Sequence, residues 1–323
     1  GKKEYFDYIK GYAEEMVNAD GSIKTYDIKK YNIDMLNSGN VLLYLNSVEK
    51  NDKYLKAIQL LRSQLDNHPR TSEGGFWHKK IYPSQMWLDG LYMGQPFYAN
   101  YTQLFEKGDS ANKAYDDIVN QFDLIQKHLK DPKTGLLYHG WDESKEQAWA
   151  DKQTGLSPNF WGRAMGWYGM AIVDVLDFLP QNHPGRARLI SYLNSYSEAL
   201  VKVQDSKTGL WYQVLDKGGE KGNYLEASAS SMFVYTFAKG ARKGYLPTSY
   251  KTIAKKGYDG IIKNLISVEK DGTVNLNQNC AVAGLGGTPY RSGTYEYYVN
   301  EEIRPNDPKG TGPFILASLE LEK

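Results

Sequence analysis

The sequence predicts an all-α fold, a ring of six helical hairpins or (α/α)6 barrel, and three observations carry that expectation. A short turn phrase recurs along the chain, helical apolar spacing fills the intervals between its copies, and period-two Val or Ile runs of sheet length are missing. The phrase reads ADGSIKTYD at 19–27, EGGFWHKK at 73–80, DPKTGLLYHGWD at 131–142, DSKTGLWYQVLD at 205–216 and KDGTVNL at 270–276. Each copy sets an Asp or Gly turn before a few alternating apolar and polar residues, which predicts a tight turn entering a short extended piece. Intervals of roughly 55 to 75 residues fit two helices and two connections. With the closing GTGPFILASLEL segment, the phrases mark six hairpins around a central funnel lined by the starts of the inner helices. No Pro/Ser/Gly-rich linker interrupts the pattern, so residues 1–323 read as one catalytic domain.

The elements follow in chain order. NIDMLNSGN opens one inner helix with Asp34 as its isolated polar residue, and Tyr54 to Leu65 is periodic. QMWLDGLYMGQPFYANY at 85–101 reads as an amphipathic helix with one carboxylate, Asp89, set among Trp87, Leu91 and Met93. Pro96 is expected to end or kink that helix, while Gly90 and Gly94 are expected to let a sugar ring come close. Ala114 to Leu129 is the next periodic stretch. In WGRAMGWYGMAIVDVLDFL, Trp161, Ala164, Met165, Tyr168, Ile172, Val175, Leu176 and Leu179 recur at helical spacing. Gly162, Gly166 and Gly169 each cost about 1 kcal/mol relative to Ala inside a helix, so close packing or ligand access has to offset them. Arg188 to Val203, Ala227 to Lys239 and Tyr250 to Leu265 complete the periodic set, and PKGTGPF opens the last helix.

Composition narrows the function. Lys+Arg total 39 against 38 for Asp+Glu, a net charge of +1, and no basic run is interleaved with aromatics, which argues against a nucleic-acid partner. Mean hydropathy is −0.59, and no apolar stretch approaches the roughly 20 residues that span a bilayer, so no membrane partner is expected. The one cysteine, Cys280, allows neither an intrachain disulfide nor a thiolate cage. His68, His78, His128, His139 and His183 lack paired metal-ligand spacing, so neither metal nor cofactor is expected. An opening Gly in place of Met suggests a removed N-terminal segment, a signal peptide or not, so the compartment stays open with periplasmic slightly favoured over cytoplasmic. No motif fixes the oligomeric state. The 26 Tyr, 7 Trp and 10 Phe suit a sugar-binding cleft as well as a tyrosine-rich core.

The residues able to carry chemistry are few. An ionised carboxylate buried without compensation is too costly to keep, so Asp89 is locally paired, protonated or facing a wet cleft. An apolar setting around it favours the protonated acid, the form a proton donor needs. Asp34 holds the matching place one hairpin earlier and is either a second carboxyl facing the funnel, or a helix cap or surface acid. Arg163, flanked by Trp161 and Trp167, suits a carboxylate or a cluster of hydroxyls, or else a structural salt bridge. His139, beside Trp141, is a sugar ligand or a solvated loop histidine.

In this order and spacing, WLDGLYMGQPFYANY, SPNFWGRAMGWYGMAIVDVL, EASASSMFVYTFAKGARKGYL and GTGPFILASLEL resemble the unsaturated rhamnogalacturonyl hydrolases of glycoside hydrolase family 105. The match runs from about Asp34 to the C-terminus, and the related unsaturated glucuronyl hydrolases of family 88 share fold and chemistry. The resemblance implies an (α/α)6 barrel, with Asp89 in the WxD position as general acid/base. It implies that Asp34, His139, Arg163 and Trp167 line the subsite for the unsaturated sugar, and Trp87, Met93 and Trp161 join them as neighbours. Just upstream of Asp34 the family more often has Trp or His, where this chain has Tyr31, Asn32 and Ile33. The implied substrate is a lyase-generated oligosaccharide ending in a 4,5-unsaturated uronic acid, cleaved by hydration of its C4=C5 enol ether. An inverting glycosidase or epimerase acting on saturated sugars would need two acids of equal standing. A non-catalytic carbohydrate-binding toroid would leave Asp89, His139 and Arg163 without purpose. The sugar following the unsaturated residue stays open.

Overall fold

The computed structural model describes residues 2–323. Among them lie eleven α-helices: α1 Lys3–Met16, α2 Gly39–Val48, α3 Asp52–Asp66, α4 Leu88–Phe105, α5 Gly108–Leu129, α6 Gly162–Phe178, α7 Gly185–Lys202, α8 Ala227–Arg242, α9 Tyr250–Leu265, α10 Tyr295–Val299 and α11 Pro308–Leu321. The strands are two or three residues long: β1 Gln85–Trp87, β2 Gly140–Asp142, β3 Ile266–Val268, β4 Val274–Leu276, β5 Asn279–Cys280 and β6 Ile303–Arg304. Antiparallel pairing joins β3 to β4 and β5 to β6. The chain forms two compact units. One ends at Met86 and takes up Gly90–Gln121 again; the other holds Trp87–Asp89 and Phe122–Lys323.

In the first unit α2 packs against α1 and α3, burying Leu36, Ala57, Ile58, Leu61 and Phe97 completely. The periodic stretch at Tyr54 becomes α3, capped by Asn51, whose side chain accepts from the Lys53 amide. Asp34 lies in a 3-10 turn, Ile33–Ser38, ahead of α2 rather than in the helix itself. Pro96 does not end α4, which continues to Phe105. Proline deprives the carbonyl four residues back of its helical donor, and the Asn37 amide supplies one to Tyr92 O at 3.3 Å. Nor do Gly90 and Gly94 open onto space for a sugar. A Cβ on Gly94 would meet Ile33 at 3.0 Å, and one on Gly90 would meet His78 Nδ1 at 3.3 Å.

The second unit is organised by α8, which packs on α6, α9 and α11. Every α8 residue from Ala227 to Ala241 is buried, as is α6 from Gly162 to Val173. The burial on every side of α8 includes its polar Ser228, Ser230, Ser231, Thr236 and Lys239. The α6 glycines serve close packing: a Cβ on Gly166 would meet Met232 Sδ at 2.6 Å, and one on Gly169 the Tyr196 hydroxyl at 2.3 Å.

The repeated phrase is a carboxylate-closed turn. Asp131 Oδ2 accepts from the Thr134 amide and hydroxyl at 2.8 and 2.6 Å, and Asp205 Oδ1 from those of Thr208 at 2.7 and 2.6 Å. A further copy, DKQTGLSP from Asp151, builds the same turn with Thr154. Gly155 is required there, since its φ is +80° and a Cβ would lie 2.3 Å from Asp142 O.

Candidate active site

Asp89 is the second residue of α4, in the first turn, where the amide dipoles favour an anion. Its side chain keeps 15% exposure, and Oδ2 lies 3.2 Å from His139 Nε2. The two atoms are within reach but not aligned as a hydrogen bond; catalytic hydrogen bonds commonly tighten only when substrate binds.

His139 directly precedes β2 and is completely buried. Its carbonyl accepts from the Leu88 amide at 3.0 Å, tying the approach to α4 against the approach to β2. Its Nδ1 is 2.6 Å from the Tyr298 hydroxyl. Trp87 meets the imidazole edge-on at 5.4 Å and Trp161 lies 4.8 Å away. Trp161 also stacks on Tyr298 at 5.9 Å. Trp87 in turn carries the Arg291 guanidinium 5.8 Å from its ring centroid. Asp89, Trp87, His139 and Trp161, four residues expected from the sequence, therefore come together.

Arg163 is the second residue of α6, 1% exposed, and turns its guanidinium to protein groups. Nε donates to Ser228 Oγ at 2.8 Å, Nη1 to Ala281 O at 3.4 Å, and Nη2 to Cys280 O. Glu226 stands 3.6 Å away, completes the buried ion pair and caps α8 by accepting from the Ala229 amide. It also accepts from the Cys280 amide at 2.9 Å, so the pair pins β5 between α6 and α8. The guanidinium is 5.5 Å from the Trp161 ring. Trp167 is buried one helical turn further on, at 8% exposure.

Asp34 and Met93 lie in the first unit. Asp34 accepts Lys79 Nζ at 2.8 Å and stands 3.3 Å from His78 Nε2, with 34% of its side chain exposed. Met93 is half-buried on α4, four residues past Asp89 and so on the same helical face.

Two sets of partners escaped the sequence reading. His78 and Lys79 belong to the turn phrase EGGFWHKK, where they read as its polar end rather than as partners of the distant carboxylate of Asp34. Tyr298 sits in the tyrosine-rich YEYYV stretch of α10, and only the fold brings it to His139. Burial pushes the ionisation of the Tyr298 hydroxyl well above its ordinary range, with the neighbouring Tyr297 and Asp89 adding to the shift. It therefore stays a neutral hydroxyl.

The family model described as Glycosyl Hydrolase Family 88 matches residues 1–323. A solved glycoside hydrolase from family 105 of C. acetobutylicum ATCC 824 is 54% identical, with a TM-score of 0.97 over 99% of this chain and 88% of its own. The unsaturated rhamnogalacturonyl hydrolase YesR of Bacillus subtilis (strain 168) is 29% identical over 279 residues, 84% of this chain and 72% of the relative. An unsaturated glucuronyl hydrolase from Bacillus sp. GL1, 13% identical, shares the fold with a TM-score of 0.66 over 92% of this chain and 75% of its own. The (α/α)6 fold expected from the turn phrases is thus the fold of this chain. With a family 88 model spanning 1–323 and a solved family 105 relative at 54% identity, the chain belongs to the glycosyl hydrolase family 88 and 105 group and is a glycoside hydrolase.

Proposed function

We propose that this hydrolase removes a terminal 4,5-unsaturated uronic acid from oligosaccharides left by a polysaccharide lyase, with Asp89 as general acid and base. The observation that carries the reading is Asp89 at the head of α4, 3.2 Å from a buried imidazole enclosed by Trp87 and Trp161. The name of the Bacillus subtilis relative supports the substrate class.

The reaction begins with Asp89 protonated. A first-turn position favours the carboxylate, but an arriving uronate brings a second negative charge and displaces water, and both favour the acid. Asp89 gives its proton to C4 of the C4=C5 bond, and positive charge develops on C5 and the ring oxygen. Water adds at C5 and returns a proton to Asp89, leaving a hemiketal. That hemiketal opens, the ring oxygen takes up a proton as a hydroxyl on C1, and C1 then expels the next sugar as an alcohol. The anomeric carbon is not attacked by a nucleophile from the protein, so the separation rule for paired carboxyls does not govern the outcome.

Asp34, paired with Lys79 and beside His78, is the second carboxyl of this reading, proposed to accept substrate hydroxyls or the proton of the attacking water. Trp87, Met93, His139, Trp161, Arg163 and Trp167 are the proposed surroundings of the terminal sugar, and residues 1–323 act as one catalytic domain, a reading supported by the span of the family model. The test is an unsaturated disaccharide whose conjugated double bond absorbs in the ultraviolet. Loss of that absorbance is expected with the native chain. Asp89→Asn, which keeps the shape but has no acidic proton, is expected to lower kcat by about 10² to 10⁴. Near-native kcat in that variant, or release of sugar from saturated glycosides at equal rate, would overturn the proposal.

A further inference from the structure

We infer that Tyr298 is a positioning residue of the reaction: its hydroxyl sets the proton position on His139, so that the imidazole serves Asp89 both as carboxylate and as acid. The inference rests on the reading of Asp89 as general acid and base.

Geometry isolates the imidazole. His139 has no exposed surface, its ring lies among Trp87, Trp161 and Tyr298, and its two nitrogens face two different oxygens. Nδ1 is 2.6 Å from Tyr298 Oη, and Nε2 is 3.2 Å from Asp89 Oδ2. Rotating the ring would require those three large side chains to move. A change in what Nε2 offers to Asp89 is therefore achieved more readily by moving a proton than by turning the ring.

A neutral imidazole carries one N–H, and which nitrogen holds it is decided by the partner of the other. When Asp89 is a carboxylate, Tyr298 O–H donates to Nδ1, and the Nε2 proton faces Asp89. When Asp89 is the acid, its O–H faces Nε2 as a lone pair, and the Nδ1 proton is donated to the Tyr298 oxygen. The two states differ by the one proton on Asp89; within the imidazole the proton has changed nitrogen. Tyr298 alone meets both needs at Nδ1, because a hydroxyl both donates and accepts. A carbonyl in its place would hold only one tautomer.

The surroundings keep Tyr298 in that role. Trp161 stacks on its ring, and Gln213 bonds both residues, accepting from Trp161 Nε1 at 3.1 Å and donating to Tyr298 O at 3.1 Å. Several titratable or charged groups face the relay. They are Asp89 at the head of α4, Tyr297 beside Tyr298 on α10, Arg291 over Trp87, Arg163 over Trp161, and Cys280 on β5. Burial holds the Cys280 thiol protonated, at about 11, and Tyr297 likewise stays neutral. Asp89 is accordingly the group that exchanges a proton with the substrate in the proposed reaction.

Tyr298→Phe keeps the ring and removes the oxygen. The Nδ1–H tautomer then leaves a buried N–H orphaned, which proteins tolerate less than an unfilled acceptor. That penalises the state with protonated Asp89, so the limb of the kcat/KM profile where the acid loses its proton moves to lower pH. We expect kcat to fall by about 10- to 100-fold, by analogy with the loss of an outer partner from a metal-bound imidazole, with KM changing far less. Steady-state kinetics across pH, with melting temperatures on the same preparations, reads this out. Nitrogen NMR of isotope-labelled histidine in the unmutated protein provides a second measurement that needs no variant to fold. His139 should carry its proton on Nε2 at neutral pH, with Nδ1 showing the signal of an acceptor. An Nδ1–H signal there, or a Tyr298→Phe enzyme with native kcat and an unmoved pH profile, overturns the inference. If Asp89→Asn is inactive in the same series, the reading of Asp89 stands without Tyr298; if Asp89→Asn turns over normally, both fall.

Discussion

Arg163 shows how one residue can answer to two demands. Its guanidinium is spent on Ser228, on the carbonyls of Cys280 and Ala281, and on Glu226, while its proposed role also puts it beside the terminal uronate. Lysine keeps the charge but loses the planar fork. Arg163→Lys is therefore expected to lower the melting temperature, because the buried Glu226 and the two carbonyls lose donors. It is also expected to raise KM on the unsaturated disaccharide, with kcat falling if C4 is misplaced relative to Asp89. Thermal melts and kinetics on one preparation separate the two effects, and a lowered melting temperature with unchanged KM would remove Arg163 from the substrate contacts. At this scale the sequence was most legible where an acid broke an apolar run. Asp89 among Trp87, Leu91 and Met93 stood out, and the fold sets it beside His139. Partners such as Tyr298 were not legible, since nothing local in YEYYV distinguishes a buried hydroxyl from an exposed one, and α10 exposes Glu296 while burying Tyr298.

Among the elements, period-3.6 stretches were read well because one face of each is buried against a neighbour. The stretch Tyr250 to Leu265 coincides with α9, whereas α5 begins at Gly108, six residues before the periodic pattern does, in polar turns that no apolar spacing marks. Helix α1 lies outside the periodic stretches named from the sequence, although Phe6, Ile9, Ala13 and Met16 recur along it at helical spacing; of these Ala13 alone is fully buried. The turn phrases read correctly as turns, while the copy at Asp151 lies outside the five recognised: its Gly-Leu step runs into Ser157 and Pro158 rather than into alternating apolar and polar residues. Their carboxylates make a prediction about acid. Burial opposes ionisation of Asp205, and the Thr208 hydroxyl and amide together outweigh it, holding the carboxyl below its usual range. A depressed folded value means the stabilisation is fully present above the unfolded value of about 3.9 and is lost as pH falls through the folded one. Asp205→Asn should thus cost roughly 0.5 to 1.5 kcal/mol at neutral pH, and the difference from the unmutated chain should shrink in denaturation curves taken below about pH 4. A constant difference across that range would mean the Asp205 charge plays no part in the turn.

For the molecule as a whole, the recurrence of the phrase foretold the six-hairpin class, and the match to a family 105 structure at a TM-score of 0.97 agrees with it. What recurrence could not foretell is the division into two compact units with α4 and α5 shared between them, because periodicity records hairpins and not which hairpins cluster. No helix among the described residues is long and apolar enough to cross a membrane, and no three His, Cys, Asp or Glu side chains there are grouped to hold a metal ion. Hydrolysis is expected to proceed unchanged in EDTA, and activity lost to the chelator and restored by a divalent cation would contradict the site as described. The clamp on β5 has a practical corollary. Cys280 is the chain's sole thiol, fully buried and held protonated by its surroundings, so a thiol-reactive dye has one target and reaches it only when the Arg163–Glu226 clamp lets go. The labelling rate of the native enzyme is then a clock for local opening beside the proposed catalytic centre, slow in the unmutated chain, faster in Arg163→Lys, and slowed again by any sugar that binds against Trp161.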